Sequence, residues 1–472
     1  MISIDTTLTP GGLSGNLEQL FATTAKSVGL LRERWDPSEG TPVFTAGGKY
    51  TSRGWTEWTQ GFQYGIPLLL FEATGDEEML DYGRSATVAQ MAPHLTHTGV
   101  HDHGFNNVST YGTLLRLMRE ERIPEGEWER RYYELALRVS GAVQAARWTS
   151  LPDDLGYVCS FNGRHSLFAD TIRSMRALAV AHQLGQVLMG EQDRRINLLY
   201  RLLAHAETTA RYNVYFGEGR DSYDVRGRVA HESIFNLDSG AYRCPSTQQG
   251  YSPFTTWTRG HAWILCGYAE QLEYLESLSE EEIVAAEHPF FQSKAAALER
   301  FEEVARAAAD FYLETTPTDG VPYWDTGAPG LARLGDYRDR PAEPYNPHEP
   351  VDSSAAAISA QGLLRLGGYL AREGDSEAAE RYTGAALTVA HTLWSDAYLA
   401  TDSAHEGVLR HSVYHRPNGW DYVAPGQSVP NGESSMWGDY HAVELGICIH
   451  RLAAGKPMQR FFDVGAPGER PS

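Results

Sequence analysis

Two aspartates are the residues of this chain best suited by type and setting to move a proton. Asp170 lies in an apolar segment with Phe168 and Met175 close by. Apolar surroundings disfavour the charged form of a carboxyl group, and a second carboxylate nearby raises its pKa further. Asp102 is the candidate second carboxylate. If helices bring the two together, they form a proton donor with a supporting carboxylate.

Each aspartate also has a purely structural interpretation, and the residues alone leave both open. A carboxylate in the first turn of a helix is stabilised by the helix N-terminus, so Asp170 could be a cap. Asp102 precedes a predicted helix at 108–121, and its carboxylate could cap that helix or face a cleft.

Four histidines lie around Asp102: His94, His97, His101 and His103. Imidazole is a common ligand of transition metals, so a metal site is one interpretation. The spacing fits no zinc motif, however. We therefore expect neither a metal nor a cofactor.

The segment 248–263 combines aromatic and polar groups at the start of a predicted helix. Trp257 and Trp263 offer flat faces suited to stacking on sugar rings, and Gln249 and Arg259 offer directed hydrogen bonds. The alternative is a core with an ion pair. A position at a loop-to-helix junction, with glycines on either side, favours a binding cleft.

Further aromatic residues and a histidine are candidates for the same cleft: Trp55, Trp58, Phe161 and His231. The chain contains no glycine-rich phosphate loop, no Gly-x-Ser-x-Gly and no His-Glu-x-x-His, which argues against nucleotide-binding, serine-hydrolase and zinc-protease chemistry.

The composition excludes other classes of function. A formal net charge of −21 over 472 residues disfavours binding to nucleic acid or to anionic membranes. The apolar stretches are too short to span a bilayer. The first twelve residues show no pattern of a secretory signal. Four widely spaced cysteines without a Cys-x-x-Cys favour a reducing compartment, so we expect a cytoplasmic protein.

Hydrophobic periodicity and capping residues predict a chain of helices that must position these groups. The twelve predicted helices span 13–35, 58–73, 77–91, 108–121, 125–146, 166–185, 192–212, 256–276, 294–314, 353–373, 376–394 and 435–454. Strand signals are weak, with short extended segments expected at 321–324 and 407–414.

Short turns such as Thr74-Gly75-Asp76 and Glu373-Gly374-Asp375 predict helical hairpins. Apolar helices alternate with amphipathic ones, as inner and outer helices of a ring would. We therefore predict an all-α fold, an (α/α)6 barrel (six-hairpin toroid), over a single domain 1–472; a superhelical solenoid is the alternative. The long loops 213–255, 317–352 and 395–433 should gather at its mouth.

Several of these segments together resemble the unsaturated glucuronyl hydrolases, glycoside hydrolase family 88. They occur in family order over most of the chain. The segments are Trp58-Thr-Gln-Gly-Phe62, His101-Asp-His-Gly-Phe105, Ala169-Asp-Thr171, Gln249-Gly-Tyr251, Thr256-Trp-Thr-Arg-Gly-His-Ala-Trp263, Val351-Asp-Ser-Ser-Ala-Ala-Ala-Ile358 and Trp437-Gly-Asp-Tyr440. The family's (α/α)6 barrel agrees with the helices counted independently.

The resemblance implies removal of a terminal 4,5-unsaturated uronic acid from lyase-generated oligosaccharides. Such enzymes hydrate the C4=C5 enol ether, and the resulting hemiketal opens and expels the remaining sugar. Asp170 would protonate C4 and help water attack C5, and Asp102 would hold the substrate and help keep Asp170 protonated. Implied substrate-binding residues are Trp58, His231, Gln249, Trp257, Arg259, Trp263, Phe161 and Ser434.

The chain departs from the family pattern at three places. After Asp170 the family usually reads roughly Met-Asn-x-Pro, whereas here Arg173 and Arg176 occur; they could lower the pKa of the acid, recognise an extra sulfate or carboxylate, or simply pair with acidic residues. Phe161 stands where the family commonly has Trp, and Asn431 replaces the first serine of the Ser-x-x-Ser that Ser434 completes.

Two other functions remain open at this stage. One is another carbohydrate enzyme on the same barrel, such as an inverting glycosidase or a sugar 2-epimerase, and the other is a catalytically inactive sugar-binding toroid. The expected partner is an unsaturated oligosaccharide, with the protein a monomer or homodimer.

Overall fold

The computed structural model describes residues 1–53 and 57–462; Trp55, a candidate for the cleft, lies outside them. The helices of this part are α1 Ser14–Arg34, α2 Gln60–Thr74, α3 Glu77–Gln90, α4 Ala92–Leu95, α5 His103–Asn107, α6 Thr113–Arg119, α7 Glu127–Ala146, α8 Thr171–Ser174, α9 Arg176–Gln183, α10 Leu198–Tyr212, α11 Thr258–Ser277, α12 Glu280–Ala285, α13 Lys294–Thr315, α14 Ser353–Glu373, α15 Ser376–Leu393 and α16 Met436–Ala453.

Six inner positions close into a ring, which makes the fold an (α/α)6 barrel as predicted. Helix α2 packs on α5, α5 on α8, α8 on α11, α11 on α14, α14 on α16, and α16 again on α2. The outer helices α1, α3, α7, α10, α13 and α15 each pack against this ring. The closing contact of α16 with α2 excludes the solenoid, whose ends do not meet.

The hairpin turns follow the chemistry expected from the sequence. Gly75 and Gly374 end their helices with φ of 73° and 88°, a conformation that glycine adopts without a steric penalty. The side chains of Asp76 and Asp375 then accept hydrogen bonds from the backbone of the helices that follow. Inner helices are buried on all sides; in α14, for example, residues 353–367 are buried throughout.

Short strands lie in the connections between the helices. They are β1 Pro42–Ala46, β2 Lys49–Ser52, β3 Trp148–Ser150, β4 Gly156–Val158, β5 Ser166–Phe168, β6 Val187–Met189, β7 Arg195–Asn197, β8 Glu232–Phe235 and β9 Tyr242–Ser246. β1 pairs with β2, β3 with β4 and β6 with β7, while β5, β8 and β9 form an antiparallel sheet in which β8 is central. The expected extended segments at 321–324 and 407–414 are present only as isolated bridges.

Three of the predicted helix boundaries are wrong, two of them because the expected first turn pairs as a strand. The helix expected from residue 108 begins at His103 and contains one π-helical turn, Val108–Gly112. The helix expected from 166 begins at Thr171, because Ser166–Phe168 pairs with β8, Ser166 opposite Ile234. The helix expected from 192 begins at Leu198, because β7 pairs with β6. Within the described residues, no helix is long and apolar enough to cross a membrane.

Candidate active site

Asp102 and Asp170 open onto one cavity inside the barrel, at the ends of two neighbouring inner elements. Each occupies the N-cap position of its helix, Asp102 of α5 and Asp170 of α8, yet neither side chain makes a capping hydrogen bond. The capping interpretation is therefore wrong for both aspartates. Their carboxylates are left for the cavity.

The cavity has a volume of about 140 Å³ and combines aromatic walls with a few polar groups. This composition is typical of small-ligand sites. Its lining residues are Trp58, His101, Asp102, Phe105, Phe161, Asp170, Gln248, Gln249, Trp257, Arg259, Trp263, Tyr414, His415, Asn418 and Trp420. Of the ten site residues expected from the sequence, eight line this cavity.

Burial and, to a smaller extent, the negative charge of Asp170 raise the pKa of Asp102 to about 7, against the opposing charge of the Arg147 guanidinium. His101 lies with Nε2 3.8 Å from Oδ1 of Asp102. Burial and the charge of Arg147 keep the pKa of His101 well below its ordinary value, so this imidazole is neutral at pH 7 and gives Asp102 no counter-charge. Asp102 therefore keeps its proton into the neutral range.

His231 faces Asp170 in a defined tautomer. Its Nδ1 accepts the backbone N–H of Gln248 at 3.1 Å, so the ring hydrogen is on Nε2. That Nε2 lies 3.6 Å from Oδ2 of Asp170 and has no hydrogen-bond partner among the described residues. The ring is held between Phe168 and Trp257, with centroids 4.5 and 4.6 Å away.

The sheet explains why His231 and Asp170 meet although sixty positions separate them. Strand β5 ends just before Asp170, and β8 begins just after His231. The backbone N–H of Ala169 donates to the carbonyl of His231 at 2.8 Å, which extends the β5–β8 ladder by one step. His231 therefore lies beside the cavity through its contact with Asp170, although it is not one of the residues that line the cavity, and its substrate-binding role stays a prediction.

Arg259 is held by the protein on both of its terminal nitrogens. Nη1 donates to Asp352 Oδ2 at 3.0 Å and to the carbonyl of Val413, and Nη2 donates to the carbonyl of Tyr414 at 2.8 Å and to Gln249 Oε1 at 3.0 Å. The oxygen of the Gln249 amide is thus occupied. Its NH₂ group is the end that can donate to a ligand.

The Arg259 guanidinium also lies between two indoles. Its central carbon is 4.5 Å from the ring centre of Trp257 and 4.9 Å from that of Trp437. A cation sandwiched in this way is stabilised by the aromatic faces. Arg259 therefore holds Gln249 and the 413–414 backbone in place, in addition to lining the cavity.

The aromatic residues of the wall differ in how much surface they offer. Trp257 and Trp263 are 3% and 2% exposed and belong to the core as well as to the cavity lining, so both interpretations of the 248–263 segment hold in part. Trp58 stacks on Trp437 with centroids 5.1 Å apart. Phe161, 40% exposed, is the open face at the rim.

Ser434, which was predicted to bind substrate, does not line the cavity. Its backbone is bonded to Thr45 on β1, with N–H to Oγ1 at 2.7 Å and carbonyl to N–H at 2.9 Å. The side chain is fully buried beside Gly407, where the two segments approach closely. Ser434 thus fastens the N-terminal hairpin to the loop before α16.

Seven of the fifteen lining residues were not predicted as site residues, among them the four neighbours Tyr414, His415, Asn418 and Trp420. These four come from the long loop 395–433, which was expected at the mouth but without a residue being named. The aromatic content of that loop was the available signal. Gln248, next to Gln249, was also missed as an individual residue.

The two arginines that follow Asp170 do not reach the cavity lining. Arg173 donates to Glu270 at 2.6 Å and to Glu444 at 3.2 Å, and Arg176 lies 3.7 Å from each glutamate. All four side chains are completely buried. The expectation that these arginines bind an extra sulfate or carboxylate of the substrate is therefore wrong, because their charges are already used inside the barrel.

The histidines around Asp102 are engaged with protein groups. His94 Nε2 is 2.7 Å from Gln60 Oε1, and His103 Nδ1 is 3.0 Å from Ser140 Oγ. In the part of the chain that the structure describes, no three His, Cys, Asp or Glu side chains are grouped so as to hold a metal ion.

A closed (α/α)6 barrel with paired carboxylates in an aromatic cleft fits a hydrolase of the glycosidase class, and the comparisons with known proteins support that class. The chain is a relative of the unsaturated glucuronyl hydrolases, which confirms the resemblance found in the sequence. The curated enzyme of that name from Bacillus sp. (strain GL1) is 28% identical over 420 residues, 87% of this chain and 91% of the relative. That from Formosa agariphila is 25% identical over 394 residues, 82% of this chain and 78% of the relative.

Solved structures agree with the sequence relatives. An unsaturated glucuronyl hydrolase variant with dGlcA-Glc-Rha-Glc is 25% identical, with a TM-score of 0.68 over 96% of this chain and 100% of that chain. The Bacillus sp. GL1 enzyme, described as responsible for the degradation of glycosaminoglycan, has a TM-score of 0.69 at 24% identity, over 95% and 100%. No family model matches the chain. The comparisons favour this kind of hydrolase over an inverting glycosidase or a 2-epimerase.

Proposed function

We propose that this protein removes a terminal 4,5-unsaturated uronic acid from lyase-generated oligosaccharides by hydrating its enol ether. The observation that carries the proposal is the pair Asp102 and Asp170, two uncapped carboxylates that share one aromatic cavity. Burial in this cavity raises the pKa of Asp102 to about 7, so the site can hold a protonated carboxyl near neutral pH, and the reaction needs a positioned acid of this kind. The named relatives catalyse hydrolysis of this class.

The reaction adds the elements of water across C4=C5. Asp170 transfers its proton to C4, and the positive charge that develops at C5 is shared with the ring oxygen. The Asp170 carboxylate then takes a proton from water as its oxygen bonds to C5. The hemiketal so formed opens to a ketone at C5, which leaves a hemiacetal at C1 that collapses to an aldehyde and releases the shortened sugar.

Neighbouring groups supply the setting for these steps. His231 directs its Nε2–H toward Asp170, where it can donate to the carboxylate after the proton has left. Asp102 accepts a substrate hydroxyl when ionised. The walls of Trp58, Trp257 and Trp263 exclude water from the face opposite the attack and stack on the sugar ring.

A matched pair of substrates tests the proposal directly. One is a lyase-generated disaccharide with the C4=C5 bond, and the other is the same disaccharide with a saturated uronic acid. The proposed enzyme releases the aglycone only from the unsaturated compound, with loss of its ultraviolet absorbance. Cleavage of the saturated compound would indicate a conventional glycosidase, and conversion of neither would indicate a binding protein or an epimerase.

Asp170→Asn is the companion experiment. We expect turnover to fall by roughly 10²–10⁴-fold, since a positioned acid contributes about that factor. Binding of the unsaturated disaccharide, followed by tryptophan fluorescence, should persist. Asp310→Asn, on the outer helix α13, is the control and should keep the wild-type rate. A wild-type rate in Asp170→Asn would contradict the assignment.

A cytoplasmic location and a monomeric or homodimeric state stay predictions. Subcellular fractionation of the native host tests the first, and light scattering after size-exclusion chromatography tests the second.

A further inference from the structure

The segments that carry the two aspartates touch through their backbones. Gly104, two residues after Asp102, packs against the carbonyl of Ser174, four residues after Asp170. A Cβ atom at position 104 would lie 2.2 Å from the Ser174 oxygen, so only glycine allows this approach. The contact joins the first turn of α5 to the end of α8.

The hydroxyl of Ser174 ties together both sides of Asp102. It accepts the backbone N–H of Gly104 at 2.9 Å and donates to the carbonyl of His101 at 2.6 Å. It also accepts a hydrogen bond from Gln144 Nε2 at 2.9 Å, and the same nitrogen donates to the His101 carbonyl at 2.8 Å. A hydroxyl has one donor and two acceptor positions, and all three are used here.

Arg176 adds a second connection to the same residue. Its Nε donates to the carbonyl of Gly104 at 2.7 Å, and its Nη2 donates to Ser109 Oγ at 2.8 Å. The guanidinium is in turn surrounded by Glu270 and Glu444, each 3.7 Å away. Both backbone polar groups of Gly104 are therefore bonded to the segment that follows Asp170.

We infer that Ser174 is a positioning residue whose hydroxyl sets the separation of Asp102 from Asp170. The inference rests on the proposed function, since that pair performs the reaction. Two of the residues bonded to Ser174, His101 and Gly104, lie on either side of Asp102 in sequence. Loss of the hydroxyl removes both of these bonds and leaves only those from Arg176 and Gln144, so the Asp102 backbone can shift relative to α8. Small displacements of a catalytic group are costly, and about 1 Å can reduce a rate by roughly 10²-fold.

A change in the distance between the two aspartates should also change the pKa of Asp102. Asp102 is faced by Asp170 and His101 and lies in the field of Arg147. The negative charge of Asp170 is one of the two causes that raise the pKa of Asp102. A larger separation weakens that repulsion. The pKa of Asp102 should then fall, which a loss of stability alone would not produce.

Ser174→Ala and Ser174→Cys test the inference, with Ser27→Ala as the matched control. Ser27 is a buried serine on α1 whose hydroxyl donates to the carbonyl of Glu406. We expect kcat to fall by roughly 10–100-fold in Ser174→Ala, with KM within about twofold, and less in Ser174→Cys, since a thiol keeps a weak hydrogen-bond donor. The alkaline limb of the kcat profile should move to lower pH. Ser27→Ala should lower only the melting temperature.

A second measurement needs no substrate. Titration of the aspartate carboxyl carbons by ¹³C NMR should give a lower pKa for Asp102 in Ser174→Ala than in the wild type. If the wild type converts no unsaturated disaccharide, the proposed function fails while this titration still decides the positioning role. An unchanged Asp102 titration, or wild-type kcat and pH profile with a lowered melting temperature, would overturn the inference.

Discussion

Replacing Asp102 by asparagine should remove activity and at the same time stabilise the fold in a pH-dependent way. No described residue donates a hydrogen bond to the Asp102 carboxylate, and its pKa is raised to about 7 from 3.8. Ionisation of this group is therefore unfavourable to the folded state. Asparagine has nearly the same shape and carries no charge.

The size of the gain follows from the pKa shift. Each tenfold change in proton affinity is worth about 1.4 kcal/mol, so a pKa raised from 3.8 to about 7 corresponds to roughly 4 kcal/mol of folding free energy. The folded pKa is raised, so the wild type binds a proton more tightly when folded and loses stability as pH rises from about 4 to 7. The gain in Asp102→Asn should be small near pH 4 and reach its full value, roughly 4 kcal/mol, above about pH 7.

Urea unfolding of wild type and Asp102→Asn at about pH 4.5 and pH 8 measures this difference through the midpoint. Asp224→Asn is a control of opposite sign. Despite some burial, backbone N–H groups, among them those of Arg220 and Gly217, hold the pKa of Asp224 below its ordinary value. Asp224→Asn should therefore cause a slight loss of stability at all pH values above about 4. A stability gain in Asp102→Asn that is equal at both pH values, or absent at pH 8, would refute the reasoning.

Three further outcomes are expected. Phe161→Ala should raise KM without lowering the melting temperature, since the ring is 40% exposed. Trp263→Ala, at a residue that is 2% exposed, should instead cost about 3–5 kcal/mol of stability. Equal effects of the two variants on stability would contradict the assignment of Phe161 to the rim and Trp263 to the core. Arg173→Met should destabilise the fold by about 3–5 kcal/mol, because Glu270 and Glu444 lose a buried partner, and should leave KM unchanged. A rise in KM without loss of stability would instead indicate that Arg173 recognises the substrate. EDTA should leave the rate intact, and a loss reversed by one added metal would point back to the histidine cluster.

Much of the architecture could be predicted from local pattern. The helical periodicity of twelve segments and the glycine–aspartate turns, such as Gly374-Asp375, depend only on neighbouring residues. Helices form largely from such local contacts. The boundaries failed where distant segments intervened. Ser166–Phe168 has the apolar character of a helix start, but its pairing with β8 makes it a strand.

The candidate site was predictable as a set of residue types, and less so as a set of roles. Asp439 shows the difference, since it belongs to a segment that carried the family resemblance and its pKa is also raised by burial to about 7. Its carboxylate nevertheless accepts hydrogen bonds from Tyr50 Oη and from the backbone N–H groups of Val408 and Leu409. It holds three segments together, whereas Asp102 faces the cavity.

The sequence by itself determined the ring of helices, the two candidate aspartates and most of the aromatic wall, because periodicity, capping and residue chemistry are properties of neighbouring residues. Only the tertiary structure decided that neither Asp102 nor Asp170 is a cap, that Arg173 and Arg176 are neutralised inside the barrel, and that His231 meets Asp170. Each of these depends on which distant groups share a low-dielectric space. Burial and pairing across the barrel therefore decide which charged side chains remain available to a substrate.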